Sequence, residues 1–150
     1  MKYRIAKKSD IHEILKLITC CAPKLVSHHE YVYWMLTTYF GSSCFVALDR
    51  EKIVGFISGL PSEDKKSLFI WQISVHPDFR RASIGSELLM KVWKGSVKLG
   101  LDKIQFSIEP ENKISQSLFK SFAKKNSLKI RQVKIDQLEK SQEVVYEIFG

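Results

Sequence analysis

The sequence predicts one domain of the mixed α/β class, with a central sheet covered by helices on both faces. The chain has 150 residues, the size of a single domain, and 45% of them are hydrophobic, enough for a substantial core. Strand-like and helix-like segments alternate along the chain, without repeats or linker-like tracts. Such alternation is typical of a sheet that buries both faces under helices.

The first elements are a short strand at residues 3–6 and a helix that Ser9 or Asp10 can cap. We expect Pro23 to end this helix, because proline cannot continue the hydrogen-bond ladder. The apolar stripe of the helix recurs at helical spacing and consists of Ile11, Ile14, Leu15 and Ile18.

A second, aromatic-rich helix is predicted from His29 to Phe40, and Gly41 is its stop signal. Two β-rich segments follow at residues 43–48 and 52–59. The polar turn between them predicts a hairpin.

The second half of the chain predicts six further elements. In order they are a strand at 68–75, a helix that opens after Ser83 and closes at Gly100, a strand at 103–108, a helix at 112–125, and two strands near 128–135 and 143–149. The residues expected to face the core are Ile84, Leu88, Leu89, Val92, Trp93 and Val97 in the first of these helices, and Ile114, Leu118 and Phe122 in the second.

The formal net charge of +8 favours an anionic partner. Nucleic acid is not expected, because the sequence has no helix-turn-helix or zinc-finger signature and no basic stripe with interleaved aromatics. The first eight residues lack the apolar stretch of a signal peptide, and no apolar run could span a bilayer, so we expect a cytoplasmic protein without membrane contact. The three cysteines fit neither a disulfide framework nor a metal site.

The segment from Trp71 to Gly85 carries the clearest functional signal. It combines an apolar strand, a Pro-Asp turn, two arginines and a turn of small residues that opens a helix. The free N–H groups and the positive dipole end of such a helix make an anion site that suits a pyrophosphate.

The sequence Arg80-Arg81-Ala82-Ser83-Ile84-Gly85 resembles the acyl-CoA-binding motif of the GNAT family of N-acetyltransferases, with Ser83 in place of one glycine. Asn112 and the Leu118-Phe119 pair match the last helix of that family. The resemblance covers nearly the whole chain. It implies the GNAT fold, a mixed and mostly antiparallel sheet of six to seven strands in one domain over residues 1–150, and acetyl-CoA as co-substrate.

The resemblance also assigns the cofactor-binding residues. The backbone of Ile73-Ser74-Val75 is expected to pair with the pantetheine arm. The N–H groups from Arg81 to Ser86, a stretch that includes Ala82, Ser83, Ile84 and Gly85, are expected to hold the pyrophosphate, and Arg80 and Arg81 to meet phosphates. Asn112 is expected to contact the cofactor and to cap its helix. Phe119 stands where many members have a tyrosine that protonates the departing thiolate.

Within the family, the chain is similar to the L-2,4-diaminobutyrate acetyltransferases of ectoine synthesis, through segments such as Leu68–Pro77 and Tyr31-Val32-Tyr33. This similarity implies acetyl transfer by direct attack of the amine of a small diamino acid. That branch has Asp-Leu-Asn where this chain has Val26-Ser27-His28, so the aspartate that contacts the substrate amine in the branch is missing.

Three residues are the predicted catalytic set on the acceptor side: Tyr31, Trp71 and Glu143. Glu143 corresponds to a glutamate of the branch and could hold an ammonium group or accept its proton. Trp71 and Ile73 are expected on one face of their strand, which would bring the indole near the thioester. His28, His29 and His76 are candidate bases at neutral pH.

Two alternatives remain open at the level of sequence. The acceptor could be a protein lysine or N-terminus, a polyamine or an aminoglycoside. The chain could also bind acyl-CoA without catalysis, a reading that Ser83 and Phe119 support. Members of the family are often dimers, so a homodimer is an expectation to test.

Overall fold

The computed structural model describes residues 1–21, 28–133 and 142–150. Seven strands form one sheet: β1 (Lys2–Ile5), β2 (Cys44–Asp49), β3 (Lys52–Pro61), β4 (Ser67–Val75), β5 (Lys103–Ile108), β6 (Lys129–Val133) and β7 (Val144–Phe149). Four α-helices accompany them: α1 (Ile11–Cys20), α2 (Glu30–Tyr39), α3 (Ile84–Lys98) and α4 (Lys113–Lys125). The predicted element order is confirmed. The predicted stop at Pro23 and residues 134–135 of a predicted strand lie outside the described residues.

The sheet has the order β1-β2-β3-β4-β5-β7-β6 and is antiparallel except between β4 and β5. Two core clusters lie on its opposite faces. One joins α1 and α2 to the sheet and the other joins α3 and α4 to it. We call these sides the α1/α2 face and the α3/α4 face. The predicted mixed, mostly antiparallel sheet with helices on both faces is therefore confirmed.

Two positions of the predicted helix stripes are wrong. Val97 is 54% exposed, because the buried side of α3 continues from Val92 to Ser96, and Val97 lies about 100° further round the helix. Ile114 is 53% exposed, because the buried stripe of α4 is centred on Phe119 and Phe122 and does not extend to Ile114 in the first turn.

Asp10 is the N-cap residue of α1, but among the described residues its side chain makes no capping hydrogen bond to that helix. Its carboxylate accepts bonds from both terminal nitrogens of Arg4, at 2.6 and 2.9 Å, and from the Lys7 N–H at 2.7 Å. Burial opposes ionisation of Asp10, but these bonds outweigh it and hold the pKa of the carboxyl below its usual range. The Arg4–Asp10 ion pair therefore joins β1 to the start of α1.

One glycine sets how closely α3 approaches the sheet. A Cβ on Gly55 of β3 would lie 2.9 Å from Ile84 Cγ2 and 3.1 Å from Leu88 Cδ1. The missing side chain therefore lets the first turns of α3 pack directly on β3. In the part of the chain that the structure describes, no helix is long and apolar enough to cross a membrane.

Candidate active site

The sheet forks between β4 and β5. Their parallel ladder runs from Ser67 paired with Lys103 to Ile70 paired with Phe106. Beyond this point β4 continues to Val75 on β3, and β5 continues to Ile108 on β7. Among the described residues no ladder pair joins the two strands past Ile70. This opening is called the fork below.

A β-bulge at the apex of the fork turns the Trp71 side chain. Ser58 of β3 pairs with Gln72, but its neighbour Gly59 pairs with Ile70, so Trp71 is the extra residue of the bulge. Trp71 packs against the core of the α1/α2 face, whereas Ile73 packs against that of the α3/α4 face. The expectation that both point to one face is wrong, because the bulge interrupts the alternation of the strand.

On the α3/α4 face, a tight turn leads into α3. Arg81 and Ser83 both have left-handed backbones, with φ of 69° and 61°. The first intrahelical bond is donated by the Glu87 N–H to the Ser83 carbonyl at 3.0 Å. The preceding N–H groups of Ile84, Gly85 and Ser86 therefore lie in the first turn, where helical N–H groups lack an intrahelical partner.

Three further contacts show where this turn lies relative to α4, α1 and β4. A Cβ on Gly85 would lie 3.1 Å from the Leu118 side chain, so the glycine lets α3 start close to α4. Ala82 is exposed, and the guanidinium of Arg80 lies beside Cys21 at the end of α1. The Cys21 thiol also donates to the Val75 carbonyl at 3.5 Å. The turn thus sits directly beyond the open end of the fork.

Asn112 and Phe119 lie on the same side. The Asn112 Oδ1 accepts from the Ser115 N–H at 3.1 Å, so the predicted cap of α4 is confirmed. Phe119 is 3% exposed and stacks on Phe106, with ring centroids 3.6 Å apart. Phe106 belongs to the last pair of the β4–β5 ladder, so this stack closes the apex of the fork on the α3/α4 face.

The α1/α2 face of the fork carries a cluster of rings around Trp71. The His28 and Trp71 ring centroids are 4.7 Å apart, and those of Tyr33 and Trp71 are 6.1 Å apart. The buried Tyr33 hydroxyl donates to Gln72 Oε1 at 3.0 Å and lies beside the His28 backbone. Burial raises the pKa of the Tyr33 phenol more than these polar neighbours lower it, so the phenol is protonated at neutral pH.

Glu143 lies on the other side of the fork. Ile104, Phe106 and Ile108 of β5 pack into the α3/α4 core, so Ser107 points to the α1/α2 face. The Ser107 hydroxyl donates to Glu143 Oε2 at 3.2 Å. Ser107 and Trp71 are each the first residue of their strand past the ladder, so Glu143 and the Trp71 rings flank the fork on the same face.

The structure does not bring Tyr31 to these groups. Tyr31 is 63% exposed and its ring packs on Trp34, which in turn meets Tyr39 on the outer surface of α2. Tyr33, 200° further round the helix, faces Trp71 instead. The helical spacing of apolar residues along α2 is the sequence signal that could have placed Tyr31 and Tyr33 on different sides of the helix. Ser107 and Gln72 were not singled out, because their roles depend on strand pairing.

Titratable side chains elsewhere have structural roles. His29 Nδ1 accepts from the Tyr31 N–H at 3.1 Å and caps α2, and His76 Nδ1 accepts from the Asp78 N–H at 3.3 Å. Burial raises the pKa of the Cys44 thiol to about 12, so it is a protonated packing group. In the described ranges, no group of three or more His, Cys, Asp or Glu side chains could hold a metal ion.

Comparison with known proteins identifies the family of this chain. The model of the acetyltransferase (GNAT) family matches residues 11–123. The L-2,4-diaminobutyric acid acetyltransferases of Shouchella clausii and Halalkalibacterium halodurans are 34% and 32% identical to the chain over 101 residues, 67% of it. The chain spans little more than half the length of these relatives, 57% and 53%.

A solved structure extends the comparison to nearly the whole chain. The diaminobutyrate acetyltransferase EctA from Paenibacillus lautus, in complex with its substrate L-2,4-diaminobutyric acid and coenzyme A, superposes with a TM-score of 0.87. The two are 26% identical, and the match covers 99% of this chain and 93% of that one. With the forked sheet, the left-handed turn before α3 and a family match over most of its length, the chain belongs to the acetyltransferase (GNAT) family.

Proposed function

We propose that this protein is an N-acetyltransferase that moves the acetyl group of acetyl-CoA to an amine of L-2,4-diaminobutyrate or a similar small diamino acid. The observation that carries the proposal is the fork. An anion-binding turn lies beyond its open end on the α3/α4 face, and Trp71 and Glu143 flank it on the α1/α2 face. The similarity to an acetyltransferase solved with diaminobutyric acid and coenzyme A supports this choice of substrates.

The donor side of the proposal uses mainly backbone groups. The N–H groups from Arg81 to Ser86 hold the pyrophosphate, and Arg80 and Arg81 supply positive charge. From Val75 to Trp71 the strand rises by roughly 13 Å, a span that suits an extended pantetheine arm lying along the backbone of Ile73-Ser74-Val75. Asn112 contacts the arm from the start of α4.

The thioester then lies at the apex of the fork, beside the Phe106–Phe119 stack. Phe119 has no proton to give, and a CoA thiol is acidic enough to leave as thiolate without one. Holding donor and acceptor together in reactive geometry supplies ~7–11 kcal/mol of the barrier, so no covalent enzyme intermediate is needed.

The acceptor side uses side chains of the α1/α2 face. Trp71 offers its indole face to the substrate, Tyr33 supports the indole from beneath, and Glu143 across the fork holds an ammonium group or accepts its proton. Tyr31 stays a prediction, with its ring on Trp34 rather than on Trp71.

The proposed reaction needs acetyl-CoA and a small amine as partners, without nucleic acid or a membrane. We expect it to take place in the cytoplasm. Measurement of the molecular mass in solution tests the homodimer.

A thiol-release assay tests the proposed function. Purified protein is mixed with acetyl-CoA and a panel containing L-2,4-diaminobutyrate, ornithine, lysine, spermidine, an aminoglycoside and a lysine peptide. We expect free CoA and an N-acetylated product with diaminobutyrate at the highest kcat/KM. Turnover with another class of amine would contradict the acceptor assignment. Tight acetyl-CoA binding without turnover on any amine would contradict the enzyme assignment and favour an acyl-CoA-binding protein.

A further inference from the structure

Of the four histidines, His28 is the one whose ring lies at the fork. His29 and His76 use Nδ1 to accept backbone N–H groups, and His12 lies in the first turn of α1. The His28 imidazole instead lies on Trp71, with a centroid separation of 4.7 Å and a tilt of 48°. Its side chain is exposed to solvent, so a proton that it receives can pass to water.

The backbone of His28 is held by buried groups. It lies beside the hydroxyl of Tyr33, a residue with 0% exposure, and that hydroxyl donates to Gln72 of β4. Tyr33 also packs against Phe56 and Trp71. The imidazole therefore lies against the strand that forms one arm of the fork, although it belongs to the segment before α2.

We propose that His28 is the base that takes the proton from the reacting amine, an inference that rests on the proposed function. Imidazole is the side chain suited to accept a proton near neutral pH. Trp71 orders both the imidazole and the amine, while Glu143, on the opposite arm of the fork, holds the ammonium group that does not react.

The proposed step balances as follows. The substrate arrives as an ammonium and loses one proton to the imidazole nitrogen. The amine lone pair forms the C–N bond at the thioester carbonyl, the C–S bond breaks, and CoA leaves as thiolate. The acetylated nitrogen loses its second proton. One of the two protons ends on the CoA thiol and the other is released to solvent.

Variants of His28 test the assignment, with His29→Asn as the matched control. Asparagine is a good helix cap, so His29→Asn keeps the start of α2 and is expected to retain wild-type kinetics. His28→Ala and His28→Gln are expected to lower kcat with the preferred amine by about 100-fold. The KM for acetyl-CoA is expected to stay unchanged, because the donor lies on the other face.

Chemical rescue separates a base from a residue that only shapes the site. Added imidazole is expected to restore turnover of His28→Ala in proportion to its concentration, and to leave His28→Gln and Glu143→Gln, where no cavity is made for it, unaffected. Folding of each variant is checked by its melting temperature.

If the wild type turns over and His28→Ala keeps most of its kcat, the His28 assignment is overturned while the proposed function stands. A loss of kcat that imidazole does not restore also overturns the assignment as base. A wild type that acetylates no amine contradicts the proposed function itself.

Discussion

The two faces of the fork are built by different means. On the α3/α4 face, the elements are regular, and the candidate donor site consists mostly of backbone N–H groups of one turn and one strand. On the α1/α2 face, the candidate acceptor site consists of side chains from three separate segments: His28 and Tyr33, Trp71, and Glu143. A backbone site tolerates changes of sequence, whereas a side-chain site changes its specificity with each substitution.

The difference suggests how this chain departs from its relatives. Ser83 replaces a glycine of the donor motif, yet its backbone still adopts the left-handed conformation, with φ of 61°. The donor turn thus keeps its shape at some conformational cost. On the acceptor face, a different residue type changes the chemistry of the site itself. His28, whose ring packs on Trp71, is such a position.

The largest effect is expected from Gly55→Val, which tests the close packing beneath the donor face. The new side chain would start 2.9 Å from Ile84 and push α3 away from β3. We expect a loss of about 3 kcal/mol in the free energy of unfolding, measured by denaturant titration, and weaker CoA binding. Gly41→Ala is the control, since its Cβ would meet nothing within 4 Å. Equal stability of both variants would refute this packing argument.

Trp71→Ala tests the acceptor face. Loss of the indole is expected to cost about 2 kcal/mol in amine recognition, which raises the KM for the amine roughly 30-fold. The KM for acetyl-CoA should not change, because the indole packs on the α1/α2 face. Tyr39→Ala, at a 68% exposed position of α2, serves as the control in the same steady-state assay. A rise in the KM for acetyl-CoA alone would show that the indole serves the donor.

Glu143→Gln tests the opposite arm of the fork. Removing the charge while keeping the shape should raise the KM for a diamino acid about tenfold, and leave kcat nearly unchanged, because a hydrogen bond to a charged group is worth about 1.5 kcal/mol. Glu63→Gln, in the exposed turn between β3 and β4, is the matched control. Unchanged kinetics in Glu143→Gln would remove Glu143 from the acceptor site.

The smallest effect is expected from Ser83→Gly, which returns the glycine to the donor turn. Glycine adopts positive φ without strain, so the unfolding free energy should rise by up to about 1 kcal/mol while the Kd for CoA stays the same. Ser83→Ala keeps the strain and lacks the hydroxyl. Weaker CoA binding in both variants would mean that the hydroxyl itself binds phosphate; a stability unchanged by glycine would mean that the turn carries no strain.

Sequence patterns predicted the helices and strands well where a single periodicity holds along the whole element. Most positions of the helix stripes and the cap at Asn112 follow from local chemistry that neighbouring residues already contain. The failures lie where pairing between distant segments decides. The bulge at Trp71 depends on the register against Ser58 and Gly59, and no local pattern encodes it.

The candidate site was predicted unevenly for the same reason. The donor turn is one contiguous motif, so its residues could be named together. The acceptor face joins segments far apart in the chain, and the roles of Ser107 and Gln72 became visible only through the fork. Tyr31 and Tyr33 differ by two positions, yet the helix points them to different surroundings.

The most direct test of the account is a crystal structure of the protein with coenzyme A and L-2,4-diaminobutyrate. We expect pantetheine in the fork along Ile73–Val75, the pyrophosphate on the N–H groups before α3, and the amino acid between Trp71 and Glu143 on the α1/α2 face. Both ligands on one face of the sheet, or an amino acid remote from Trp71, would contradict it.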